Sequence, residues 1–100
     1  MPTLTVIPEA HVEQAVAEYA TSQGCLMLKL NVIGRIGWPD RLFLYQGRVL
    51  FVEFKRQGER PRKMQAYIHG LIRRHGFKVA VIDTITQGRE QIYELTNNVS

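Results

Sequence analysis

Cysteine is almost missing from this chain. Cys25 stands alone, so neither an intrachain disulfide framework nor a four-thiolate zinc site can form, and a reducing compartment is the default. Histidine is scarce as well. His11, His69 and His75 share no zinc-ligand spacing such as HExxH, and each reads as a surface or satisfied-core side chain. No run approaches the roughly 18 apolar residues that a membrane span requires. The opening MPTLTVIPEAHVEQ has no basic segment leading into an apolar one, so a secretory signal is not expected. Internal repeats, linkers and low-complexity stretches are also missing. The expectation is a soluble, cytoplasmic protein with no membrane partner, folded as a single domain over residues 1–100.

What is present suits that size. Hydrophobic residues make up 45% of the 100 positions, enough for one core of moderate volume. Lys plus Arg number 13 against 9 Asp plus Glu, a net charge of +4. A solvated basic surface explains so mild an excess as readily as a nucleic-acid footprint does. Its distribution tells more: the first 28 residues hold no Lys or Arg, whereas Arg56, Arg60, Arg62, Lys63, Arg73, Arg74 and Lys78 crowd the second half.

The hydrophobic pattern orders the elements. From Pro8 to Gln23, Val12, Ala15, Val16, Tyr19 and Ala20 recur at helical spacing, and Gly24 suits the end of that helix. Leu26 to Leu30 reads as a short strand, and NVIGRIGWPD as a loop. Arg41–Gln46 and Arg48–Lys55, separated by Gly47, suggest an antiparallel hairpin. The second run is apolar on both faces, as a central, doubly covered strand would be. Pro61 then opens a helix with the face Met64, Ile68, Leu71, Ile72 and His75, capped by Gly76. Phe77–Asp83 is a further strand, which the preceding helix can bring parallel to the hairpin. A short helix over about Arg89–Leu95 ends the chain. The order α-β-β-β-α-β-α predicts an α/β domain with a mixed central sheet of about four strands flanked by helices.

Three charged residues stand where apolar ones would pack better: Asp40 before the first hairpin strand, and Glu53 and Lys55 at the end of the second. Two residues apart on a strand, Glu53 and Lys55 project from one face, and Asp40 meets them from the neighbouring strand. Two converging carboxylates make a hard oxygen site for a divalent ion that also binds phosphate oxygens. An isolated E-x-K triplet reads more readily as a surface ion pair at a frayed strand end. Here, however, it follows a Gly-x-Pro-Asp turn by 13 residues and precedes Gln65 by ten, and that joint pattern is far more specific.

Gly37-Trp38-Pro39-Asp40, then Phe51-Val52-Glu53-Phe54-Lys55, then Gly58 and Gln65 resemble the G-x-P-D, hydrophobic-E-x-K and Q motifs of the virus-type replication-repair nuclease (VRR-NUC) family. That family lies within the PD-(D/E)xK nuclease superfamily, which includes archaeal Holliday-junction resolvases. The resemblance spans about Glu9 to Asp83. It implies an endonuclease that uses Mg²⁺ or Mn²⁺ to hydrolyse branched or double-stranded DNA in a bacterial or phage-infected cell, and a homodimer. Carried onto this sequence, it makes Asp40 and Glu53 metal ligands together with the backbone carbonyl of Phe54. Lys55 would orient the attacking water and stabilise phosphate charge, and Gln65 would hydrogen-bond to Lys55 or to that water. The family also places a glutamate on the first helix; Glu9 and Glu13 are both candidates, and the junction-resolvase spacing favours Glu13.

Lys29, Arg35 and Arg41 flank the Gly-rich loop, and Arg60, Arg62 and Lys63 precede Gln65. Both groups are candidates for holding phosphates on either side of the scissile bond. Trp38 reads first as a packed loop anchor, with stacking on an exposed base or wedging of a junction as the alternative. Ile33, Ile36, Trp38, Ile92, Tyr93 and Leu95 look available for a dimer interface. Two other readings compete: a non-catalytic nucleic-acid-binding module, against which the full set Asp40, Glu53, Lys55 and Gln65 argues, and a nuclease subunit of a restriction or transposition complex.

Overall fold

The computed structural model describes residues 7–97; residues 1–6 and 98–100 of the expected domain lie outside the described residues. The elements follow the expected order: α1 (Glu9–Ser22), β1 (Leu26–Lys29), β2 (Arg41–Tyr45), β3 (Arg48–Phe54), α2 (Lys63–Arg74), β4 (Lys78–Ile82) and α3 (Ile85–Asn97). Their strands form one sheet in the order β1-β2-β3-β4. β1 and β3 each pair antiparallel with β2, and β4 lies parallel to β3, with α2 as the crossover that parallel pairing demands. The β2–β3 turn is made by Gln46 and Gly47, both at positive φ, as a tight hairpin turn matched to strand twist requires.

Alternation along β3 divides the interior in two. Leu50, Val52 and Phe54 enter the main core with Val12 and Val16 of α1, Phe43 of β2 and Ile92 of α3. Each such fully buried side chain stabilises the fold by about 1.5–3 kcal/mol relative to exposure. On the opposite face Phe51 packs with Ile68 and Ile72 of α2 and Val79 of β4. The strand that carries Glu53 is therefore held from both sides. Helices α1 and α3 touch closely at Gly88, where an added Cβ would overlap the Val16 side chain.

Three details depart from the sequence expectation. First, α3 begins at Ile85, four residues before Arg89, because Thr84 Oγ1 accepts the Gln87 N–H (3.1 Å) and Gln87 Oε1 accepts the Asp83 N–H (3.0 Å), a reciprocal start of the T-x-x-Q kind. Second, the inward stripe of α2 is Ile68, His69 and Ile72; Met64 and His75 are exposed. Third, Ile92 and Leu95 belong to the core and Trp38 to the smaller cluster, so these three are not spare for an interface, whereas Ile33, Ile36 and Tyr93 are exposed. Among the described residues no helix is long and apolar enough to cross a membrane.

Candidate active site

Arg41 of β2 stands opposite Val52 of β3. One step further along this antiparallel register, Asp40 meets Glu53, and directly opposed residues share a face of the sheet. That face is the one covered by α2, since it also carries Phe51. Glu53 is only 6% exposed, flanked on its other side by Val81 of β4. Lys55 follows two residues later, half-buried, and its N–H donates to the Ile82 carbonyl at 2.9 Å, extending the parallel ladder. Asp40, Glu53 and Lys55 thus come together as the strand periodicity implies.

The environment of Glu53 is unusual. Burial, reinforced by the negative charge of Asp40 and, less strongly, of Glu9, pushes its carboxyl up to about 7 against the partial relief given by Lys55 and Arg41. Its Oε1 is buried and has no hydrogen-bond partner. Beside it, 4.0 Å away, lies Nε2 of His69, also buried and without a partner. Burial lowers the imidazole pKa, and the charges of Arg73 and Lys55 lower it further. Sequence reasoning passed over His69. The available signal was its position four residues after Gln65, which puts both on one side of a helix.

The G-x-P-D turn fixes Asp40 by close packing. Gly37 has φ of +88°, and a Cβ there would lie 2.7 Å from Met64 Cγ and 2.9 Å from the Met64 carbonyl oxygen; only glycine lets the loop press on α2 this closely. Pro39 is buried, and the Asp40 carbonyl accepts the Leu30 N–H at 2.8 Å. After β3 the chain is tied back by Gly58, whose N–H donates to Asp83 Oδ2 at 2.9 Å.

The two candidate glutamates of α1 differ in setting. Glu13 receives two hydrogen bonds from the Arg41 guanidinium, at 2.7 and 3.0 Å, while the charge of Glu9 is felt at Glu53. Arg41 also approaches Asp40 Oδ2 at 3.4 Å and is mostly buried, so it bridges α1 to the turn and is not laid out on the surface as a phosphate contact. Gln65 accepts the Arg62 N–H at 2.8 Å and caps α2, a bond other than the one expected to Lys55. Lys29, Arg35, Arg60, Arg62 and Lys63 are all exposed.

Among the described residues no three His, Cys, Asp or Glu side chains group closely enough to hold a metal ion by themselves. The pair Asp40 and Glu53, with an unpartnered buried oxygen on Glu53, still matches the needs of Mg²⁺, which takes one or two carboxylates and keeps several waters or phosphate oxygens.

No protein-family model matches the sequence. The chain is 33% identical over 82 residues to the protein named "Putative nuclease p44" of Acyrthosiphon pisum secondary endosymbiont phage 1, covering 81% of this chain and 88% of that one. A solved structure described as a VRR-NUC domain superposes with a TM-score of 0.79 at 32% identity, covering 85% of this chain and 94% of the other. With this shared fold, and with identity and coverage at these levels, the chain belongs to the VRR-NUC family of nucleases.

Proposed function

We propose that this protein is a metal-dependent endonuclease that hydrolyses phosphodiester bonds of DNA, with branched DNA such as a four-way junction as its preferred substrate. The observation that carries the reading is the opposition of Asp40 and Glu53 on the face that Lys55 shares, with a Glu53 oxygen left unpartnered in a buried position. Asp40, Glu53 and the Phe54 carbonyl would hold Mg²⁺ or Mn²⁺, which supplies positive charge to the scissile phosphate and lowers the pKa of a bound water. Lys55 orients the attacking water and stabilises charge on the phosphate oxygens as the water oxygen bonds to phosphorus and the leaving P–O bond breaks. Glu9 is better placed than Glu13 to support the ion, because Glu13 is engaged by Arg41. Gln65 fixes the start of α2, one helical turn from His69. Arg35, Arg60, Arg62, Lys63 and Lys29 hold flanking phosphates.

A twofold dimer would bring two such sites to one DNA molecule. The surface that supports it is the part of the sheet beyond α2, where Leu26 and Leu28 are 57% and 40% exposed in register with Leu44 and Leu42. The decisive experiment incubates purified protein with labelled junction, flap and linear duplex in Mg²⁺, Mn²⁺ or EDTA. Products that require metal and come fastest from branched DNA are expected; equal cleavage in EDTA overturns the reading.

A further inference from the structure

Beside the acidic pair, on the same face of the sheet, lies a cavity of about 380 Å³ walled by Trp38, Phe51, His75 and Phe77, a volume in the range of pockets that hold small ring systems. Leu71 and Ile72 complete its apolar lining. Phe51 and Phe77 meet edge to face, with ring centroids 6.1 Å apart. Polar side chains enter only at the edge, through His75 and the exposed Arg35.

The loop before β2, β3 and α2 each line this cavity and each carry a residue at the candidate active site, while Phe77 closes it from the segment between α2 and β4. The loop sets Trp38 two residues before Asp40, and α2 sets Ile72 three residues after His69. On β3, Phe51 lies two residues from Glu53 on the same face, a separation of about 6.6 Å. An occupant of the cavity is therefore covalently within reach of a group held at Asp40 and Glu53. An aliphatic occupant would leave the guanidinium at the rim unused. A nucleobase uses both wall and rim: its π-faces stack on aromatic rings, and its own phosphate suits an arginine beside them.

We propose that this cavity receives one unstacked nucleobase of the DNA strand whose phosphate lies at Asp40 and Glu53. The proposal rests on the nuclease reading and narrows its substrate: a flap offers an unpaired base outright, whereas a junction branch point or a blunt duplex must first unpair one, at less cost where stacking is interrupted.

Trp38 is the one tryptophan of the chain, so its emission reports on the cavity without any cleavage. In EDTA, the protein is titrated with single-stranded oligothymidylate, an abasic strand of equal length and a blunt duplex, with binding followed separately by anisotropy of end-labelled DNA. Oligothymidylate should bind and quench Trp38 by roughly half, with little quenching by the abasic strand or the duplex, as base–aromatic stacking implies. Phe77→Ala, which removes an exposed wall, and Leu71→Phe, which fills the space, should each weaken oligothymidylate binding about tenfold and leave abasic binding unchanged, with cooperative unfolding confirming that each variant is folded. Binding of oligothymidylate without quenching, equal quenching by the abasic strand, or unchanged affinity in both variants overturns the base pocket and leaves the nuclease reading standing. Failure to bind any DNA, together with no metal-dependent cleavage, overturns both.

Discussion

Oε1 of Glu53 lies 4.0 Å from Nε2 of His69, and neither atom has a hydrogen-bond partner. The contact is too long for a hydrogen bond. It is not an ion pair at neutral pH either, because burial drives the carboxyl up to about 7 and the imidazole down from its ordinary value. A buried polar group without a partner costs about 1–3 kcal/mol. The fold bears this cost where the Asp40 and Glu53 carboxylates and Lys55 converge, and a cation held by the carboxylates, as proposed, would offset the part borne by Glu53.

This arrangement fixes a pH dependence. The unfolded carboxyl titrates near 4.5 and the folded one near 7, so the folded state binds the proton more tightly. The stabilisation is fully present below pH 4.5 and is lost as pH rises through 7, a change of about 3 kcal/mol. His69 acts in the opposite sense: its folded value lies below 6.5, so it destabilises the fold as pH falls. The informative quantity is therefore the difference in urea-unfolding free energy between wild type and Glu53→Gln in EDTA. The variant should gain stability relative to wild type from pH 5 to pH 8; a constant difference would show that Glu53 is not held in this environment.

Gly37 supplies a second test. Gly34 and Gly37 both have positive φ, but a Cβ meets nothing within 4 Å at Gly34 and collides with Met64 at Gly37. Gly34→Ala should cost about 1 kcal/mol from backbone strain alone, and Gly37→Ala clearly more. Gly37→Ala should also lower cleavage at least tenfold by displacing Asp40, by the factor per 1.36 kcal/mol that transition-state misplacement follows. Equal effects of the two substitutions on stability and rate would contradict the role given to the close contact.

Much of this was legible in the sequence. Period-two alternation in Arg48–Lys55 placed Glu53 and Lys55 on one face, and Gly47 gave the turn that sets the register bringing Asp40 across. His69 was signalled only by its place four residues after Gln65, and a lone histidine among apolar helix residues looks the same whether its Nε2 is satisfied or left beside a carboxylate. The junction-resolvase spacing favoured Glu13 over Glu9, one turn apart on the same helix, but could not show that Glu13 is engaged by Arg41, which reaches α1 from a strand 28 residues away in sequence. The first turn of α3 was readable in Thr84 and Gln87 but lay ahead of the apolar stripe that drew the expected boundary to Arg89.

For DNA binding, Arg60, Arg62 and Lys63 are exposed just ahead of α2. Replacing all three by Ala should reduce the slope of log affinity against log salt by about 2 to 3 if each neutralises one phosphate. An unchanged slope, measured by anisotropy in Ca²⁺, would place this cluster away from the DNA.

For assembly, light scattering at micromolar concentration should give about twice 11.5 kDa. Leu26→Lys with Leu28→Lys should halve that mass by setting charges on the exposed apolar sheet face. A wild-type monomer that still cuts both strands of a junction would remove the dimer from the account.

The central claim is that Asp40, Glu53 and Lys55 form a metal-dependent hydrolytic site. Its most direct test is the single-turnover cleavage rate of a labelled four-way junction in Mg²⁺, measured for wild type, Asp40→Asn, Glu53→Gln and Lys55→Ala. Each variant should fall at least about a hundredfold while staying folded, as loss of several kcal/mol of transition-state stabilisation requires, and wild type in EDTA should fall with them. Wild-type turnover in any one of the three variants, or cleavage undiminished by EDTA, would contradict the account.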